Sequence, residues 1–126
     1  MKIIKTKPVR VFEVGHKKKN KIFATADIYL DHDEQVTFFS DSKEFDICKK
    51  DWGFYATPSL NGRLKKFGWK SYLCKSKLTN RYYVHLVDPS MNSTYKKYLA
   101  NEEMIIILEL HNTELLDSTF FPNDKN

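Results

Sequence analysis

The sequence is poor in residues that staple, break or hinge a chain: two cysteines, four glycines and four prolines among 126 residues. Two thiols, Cys48 and Cys74, cannot build the multi-disulfide framework of a small secreted domain or a four-cysteine zinc site, so they read as reduced core residues. No apolar run approaches the roughly 20 residues of a membrane-spanning helix. The opening MKIIKTKPVR lacks the apolar stretch of about 7–15 residues found in a secretory signal, which points to the cytoplasm. Without an export route, the Asn92-Ser93-Thr94 triplet has no meaning as a glycosylation acceptor. GxSxG, HExxH, P-loop and GxGxxG strings are all missing, so no known catalytic machinery is visible and no cofactor or metal is called for.

With 41% apolar and 29% charged residues the composition is that of an ordinary globular chain. The length fits one domain, and the lack of repeats or Pro/Gly-rich linkers agrees, so the expectation is a single domain over 1–110 with a loosely docked tail over 111–126. The net charge of +5 is unevenly placed. Residues 1–21 carry eight Lys/Arg against one acid, and residues 22–48 carry one Lys against seven acids. Residues 49–86 carry nine Lys/Arg against one acid, and residues 87–126 three Lys against seven acids. Acidic blocks of that size can neutralise the basic ones within the fold or in a dimer, which weakens a general nucleic-acid reading.

The pattern predicts an α+β fold, a mostly antiparallel sheet of about six or seven strands with two short helices near 58–67 and 89–100. Val9 to Val14 is β-branched and aromatic, and His16 to Lys21 is a solvated connection. Ile22, Ala24, Ala26, Ile28 and Leu30 recur at period two, the signature of a half-buried strand. Polar interruptions at 31–34 and Asp41-Ser42 precede Val36–Phe39 and Phe45–Cys48, which makes hairpins. Thr57 suits an N-cap and Pro58 a first helical position; Leu60, Leu64 and Phe67 then share a face before Gly68 closes the helix. Trp69–Lys75 and Arg81–Val87 read as strands. Asp88-Pro89 starts a helix with Met91, Tyr95, Tyr98 and Leu99 on one side, and Met104–Leu110 reads as a central strand. Phe120 and Phe121 either anchor the tail or make a contact with another subunit.

The segment DWGFYATPSLNGRLKKFGWK, residues 51–70, concentrates unlike functional groups and is the leading candidate site. Trp52, Phe54 and Tyr55 are aromatics on a loop entering a helix, and Trp52 and Tyr55 suit stacking on a sugar or a base. Thr57 and Ser59 offer hydroxyls beside backbone N–H groups at a helix start, where anions are favoured. Arg63 falls four residues after Ser59, on the same helical face, and its guanidinium suits a bidentate phosphate or carboxylate contact. Trp52, Tyr55, Thr57, Ser59, Asn61 and Arg63 are the candidate ligand-binding residues. The competing reading makes Trp52 and Phe54 core, Thr57 an ordinary cap, Gly53 a turn residue and Arg63, Lys65 and Lys66 a solvated face. Asp31, His32, Asp33 and Glu34 offer hard-metal or acid/base groups, or simply a polar hairpin turn. His85 and Tyr83 share one strand face, either as a proton-transfer pair or as a hydrogen-bonded structural histidine with a neighbour.

DWGFYATPSLNGRL at 51–64 and RYYVHLVD at 81–88, with EQVTF at 34–38 and YKKYL at 95–99, resemble a family of small uncharacterised bacterial proteins associated with surface-polysaccharide and nucleotide-sugar synthesis genes. The resemblance covers about two thirds of the chain, without the basic N-terminus or the tail. It implies a metabolic neighbourhood and transfers no residue roles.

The resulting expectation is a cytoplasmic binding or accessory protein taking a phosphorylated sugar, nucleotide or sugar nucleotide at residues 52–63. Single-stranded nucleic-acid binding is the runner-up, since 18 aromatics and two basic blocks can furnish a stacking platform in a charged groove. A small enzyme using Tyr55, Arg63 and His85 is a third class. A structural subunit that dimerises through a sheet edge or through Phe120-Phe121 is the fourth, and a homo-oligomer is among the expected states.

Overall fold

The computed structural model describes residues 1–15 and 19–124. It is α+β, with eight strands in three small antiparallel sheets and three helices among the described residues. The chain divides into two compact units, Met1–Thr57 and Pro58–Asn126.

In the first unit β1 (Lys2–Val14) pairs with β2 (Asn20–Tyr29), with a register shift between Lys5 and Arg10. Pro8, which has no N–H to give to a ladder, falls within that interruption. His16, Lys17 and Lys18 of the expected connection lie outside the described residues, and Asn20 and Lys21 already belong to β2. The period-two face of β2 is present, but Ile22 and Ile28 are exposed rather than half-buried.

A three-stranded meander follows: β3 (Gln35–Ser40), β4 (Lys43–Lys50) and β5 (Gly53–Ala56). Asp41-Ser42 is its first turn, whereas the interruption at 31–34 joins β2 to β3 in different sheets and does not make the expected hairpin. Asp33 at φ 64° and Asp41 at φ 54° take the left-handed conformation that Asp tolerates better than most residues. Asp33 N–H donates to Lys49 O at 2.9 Å and Lys49 N–H to Glu34 O at 2.9 Å, which ties the Asp31–Glu34 turn to β4. Asp46 and Cys48 are the buried residues of β4.

In the second unit the helix expected over 58–67 is reduced to α1 (Arg63–Lys66). Residues 59–62 form a turn instead, with Gly62 N–H donating to Ser59 O at 3.1 Å and Leu64 N–H to the same carbonyl at 3.2 Å. Asn-Gly is a strong turn dipeptide, and here it overrides the helical start offered by Pro58. Leu64 is buried, 2% exposed, and by itself contributes about 1.5–3 kcal/mol.

The third sheet runs β7-β6-β8, with β6 (Lys70–Ser76) central between β7 (Tyr82–Val87) and β8 (Met104–Glu109). β6 and β7 pair without interruption from Lys70↔Val87 to Lys75↔Tyr82, whereas the β6–β8 ladder shifts register between Leu73 and Cys74. The second expected helix is a 3-10 turn over Pro89–Met91, capped by Asp88, running into α2 (Asn92–Asn101). Tyr95, Leu99 and Met104 pack against buried Tyr72, Cys74 and Val87 as the core of this unit. Within the segment read as a tail, α3 (Thr113–Phe120) is helical, with the Asn112 side chain accepting from Leu115 N–H at 3.1 Å.

Gly68 closes α1 as its position suggests: φ is +77°, and its N–H donates to Lys65 O at 2.9 Å. An L-residue in that conformation costs about 1–2 kcal/mol. Gly68→Ala should therefore lower stability by about that much in urea denaturation, while an Ala at Lys65, exposed on α1, should cost less than about 0.5 kcal/mol.

Candidate functional site

The aromatic part of the 51–70 segment sits on a hairpin, not on a loop entering a helix. Asp51 and Trp52 form the turn between β4 and β5, Gly53 at φ +144° supplies the backbone conformation that turn needs, and Phe54 and Tyr55 are strand residues. Trp52 and Tyr55 stack with ring centroids 5.9 Å apart at 30°, and remain 68% and 44% exposed. Lys49, cross-strand from Phe54, places its Nζ 5.5 Å from that ring. Lys50 reaches across to pair with Asp33, whose pKa is lowered chiefly by that hydrogen bond.

Thr57 does not cap α1; its N–H donates to Asp46 O at 3.2 Å. Ser59, Asn61 and Arg63 are exposed, Ser59 and Asn61 in the turn before α1 and Arg63 at its first position. The Gly62 N-cap makes no side-chain capping bond, and a four-residue helix has too few aligned peptides to set up an anion-binding dipole. Helix-terminus electrostatics therefore do not argue for an anion there.

The Asp31–Glu34 candidates are engaged locally. His32 Nε2 is 3.1 Å from Asp33 Oδ2, and Glu34 Oε1 accepts from Asp31 N–H at 2.8 Å, which lowers the Glu34 pKa. Among the described residues no three His, Cys, Asp or Glu side chains group as metal ligands. Cys48 and Cys74 are both free, buried thiols.

A second cluster lies in the second unit, and only part of it is legible in the sequence. His85 hydrogen-bonds through Nδ1 to Tyr95 Oη at 2.8 Å, rather than pairing with Tyr83. Cys74 Sγ lies 3.3 Å from the same hydroxyl. The Tyr95 ring stacks on Tyr72 at 5.6 Å and 20°, and meets His85 edge-on at 5.5 Å. His111 meets Tyr72 edge-on at 5.2 Å and holds Glu109 through Nε2 at 3.1 Å. Burial is the main cause of the raised pKa values of Tyr72, Tyr95 and Tyr98 and of the lowered pKa of His85.

Tyr95 lines two recesses. One, of about 460 Å³, is lined by Val84–Asp88 together with Met91, Thr94, Tyr95 and Tyr98. The other, of about 280 Å³, lies towards Lys70, Lys96, Ile106 and Glu109. Sequence periodicity puts Tyr95 and Tyr98 on the apolar face of a helix and His85 on one strand face. That parity is the available signal; it does not say which strand a helix face will meet. No family model, curated protein or solved structure matches the chain.

The lowered His85 pKa has a signed consequence. The unfolded chain, with His near its ordinary 6.5, takes up a proton before the folded state does, so stability is fully present above about pH 6.5 and is lost as pH falls through it. The urea midpoint should fall between pH 7 and pH 5.5, and His85→Gln should flatten that part of the profile. An unchanged slope in the variant would assign the loss to other groups.

Proposed function

We propose that the protein is a cytoplasmic binding or accessory module that takes the ring of a phosphorylated sugar, nucleotide or sugar nucleotide on the Trp52–Tyr55 pair. The observation that carries the reading is the pair itself: two stacked, exposed rings at the tip of a short hairpin. Indole and phenol faces left in water offer apolar surface and a π-face to a base or to the C–H face of a sugar. The β4–β5 ladder, four residue pairs from Ile47↔Ala56 to Lys50↔Gly53, holds the hairpin tip and limits the ordering cost of binding. Thr57, in the same unit, enters as a polar group for the anionic part on its chemistry. A sugar nucleotide stands within that class because residues 51–64 and 81–88 resemble small uncharacterised proteins associated with surface-polysaccharide and nucleotide-sugar synthesis genes, which implies a neighbourhood and not a reaction.

One observation favours a second reading. Phe38, Phe54 and Lys49 lie on the same face of the β3-β4-β5 sheet by register, with both rings exposed, an arrangement suited to stacking bases of a single strand beside a cation. Salt separates the two readings, because phosphate-backbone binding weakens steeply as counterions are added and a stacked small ligand does not.

A thermal-shift panel of sugar phosphates, nucleotides, sugar nucleotides and short oligonucleotides at 50 and 200 mM salt tests the choice. One small phosphorylated compound should raise the melting temperature at both salt levels. Trp52→Ala should weaken its binding by about 5- to 150-fold, the ~1–3 kcal/mol of a stacked base, with circular dichroism unchanged. A shift by oligonucleotides alone, lost at the higher salt, would replace the first reading with the second.

A further inference from the structure

The β1–β2 ribbon of the first unit has no core of its own. It is a sheet of two strands, and every residue of both strands except Thr6 and Ala24 is exposed. A two-stranded ribbon with neither face covered is marginally stable in water, so this one gains burial when another molecule lies against it. Ile3, Phe12, Ile22 and Phe23 stand 48–58% exposed on it, an amount of apolar surface that marks an interaction site rather than a solvated arm.

The ribbon's charge is one-sided. Its described residues, 1–15 and 19–29, carry Lys2, Lys5, Lys7, Arg10, Lys19 and Lys21 against Glu13 and Asp27. Arg10 lies 3.8 Å from Asp27, whereas none of the five lysines has an ion-pair partner among the described residues. Directly opposite residues share a sheet face. The pair Lys5↔Ala26 therefore puts Lys5 on one face, and the pairs Lys2↔Tyr29 and Glu13↔Lys21 put Lys2 and Lys21 on the other. Such an excess of one sign repels a second copy of the same ribbon. Cations on both faces also suit a flat anionic surface poorly, because adsorption engages one face and leaves the lysines of the other in water.

We infer that the β1–β2 ribbon docks in the major groove of double-stranded DNA. That groove is about 12 Å wide and 8.5 Å deep, admits a two-stranded ribbon, and sets a wall of phosphates along each side of it, within reach of lysines from either face. The ten residues of β2 extend about 33 Å, close to the roughly 34 Å of one turn of DNA. Two-stranded ribbons twist more than wider sheets, and the register shift between Lys5 and Arg10 adds to that twist, so the strands follow a helical groove. Lysine–phosphate contacts supply affinity without reading sequence, and the exposed apolar side chains pack on thymine methyl groups. Duplex RNA offers no equivalent site, since its major groove is deep and narrow. The ribbon uses neither Trp52 nor Tyr55, so this binding is independent of the ligand proposed for that pair.

The test is fluorescence anisotropy of the whole chain with a labelled DNA duplex about two turns long, with the single strand, an RNA duplex and phosphatidylglycerol–phosphatidylcholine vesicles as competitors. Affinity should fall roughly 100- to 1,000-fold between 50 and 200 mM salt, the loss for about four to six phosphate contacts. Bound duplex should slow amide exchange in β1 and β2, and each competitor should be at least tenfold weaker. Lys5→Gln and Lys21→Gln, one from each face and both at exposed positions, should leave circular dichroism unchanged and each lower the salt slope by about 1. No binding at 50 mM salt, equal displacement by any competitor, or protection confined to β3–β5 would overturn the inference. So would a salt slope that responds to one of the two lysines only or to neither, or a dimer in sedimentation whose β1 and β2 amides are already slow without DNA.

Discussion

The hydroxyl of Tyr95 lies 2.8 Å from His85 Nδ1 and 3.3 Å from Cys74 Sγ, and the placement of α2 on the third sheet depends on those contacts. A helix whose hydrophobic face is held by dispersion alone can slide, whereas a buried hydroxyl left without a partner costs about 1–3 kcal/mol and so resists displacement. Tyr72 stacks on the same ring, while Leu99 and Met104 fill the space beside it. With α2 fixed, the two recesses that Tyr95 lines are fixed too, one beside Val84–Asp88 and a smaller one beside Lys70 and Glu109.

The first unit is organised differently. Among the described residues, β2, β3, β4 and β5 are joined by turns with Asp or Gly at positive φ, and the buried residues are those of β4. Short hairpins with little burial hold their shape through cross-strand pairs and ladder hydrogen bonds more than through a deep core. Such a frame presents side chains instead of enclosing them, which is why Trp52 and Tyr55 meet each other and solvent rather than a core. This unit therefore exposes a stacked aromatic pair, whereas the second encloses its aromatic cluster beside a helix.

The strands and turns are the legible part of the sequence. Asp41-Ser42 marks the β3–β4 turn, Gly68 the end of α1, and Asp88-Pro89 the entry to α2, because each residue type meets a local backbone requirement that does not depend on distant partners. The start of α1 is misjudged where two local signals conflict and Asn61-Gly62 prevails over Pro58. β5 escapes notice because a four-residue strand carries too little alternation to be distinguished from a loop. For the candidate sites, the composition of 51–63 draws attention to Trp52 and Tyr55 but not to their stacking. The His85–Tyr95 pair requires knowing which helix covers which strand; residues ten apart in sequence but on different elements leave no periodic trace.

Ring-proton nuclear Overhauser contacts of Tyr95 test the central claim, that this one side chain places α2, more directly than any other measurement. Cross-peaks from Tyr95 to both Tyr72 and His85, with slowed exchange of the α2 amides, are the predicted result. Tyr95 resonances that show contact with neither ring, on a helix whose amides exchange freely, would contradict it.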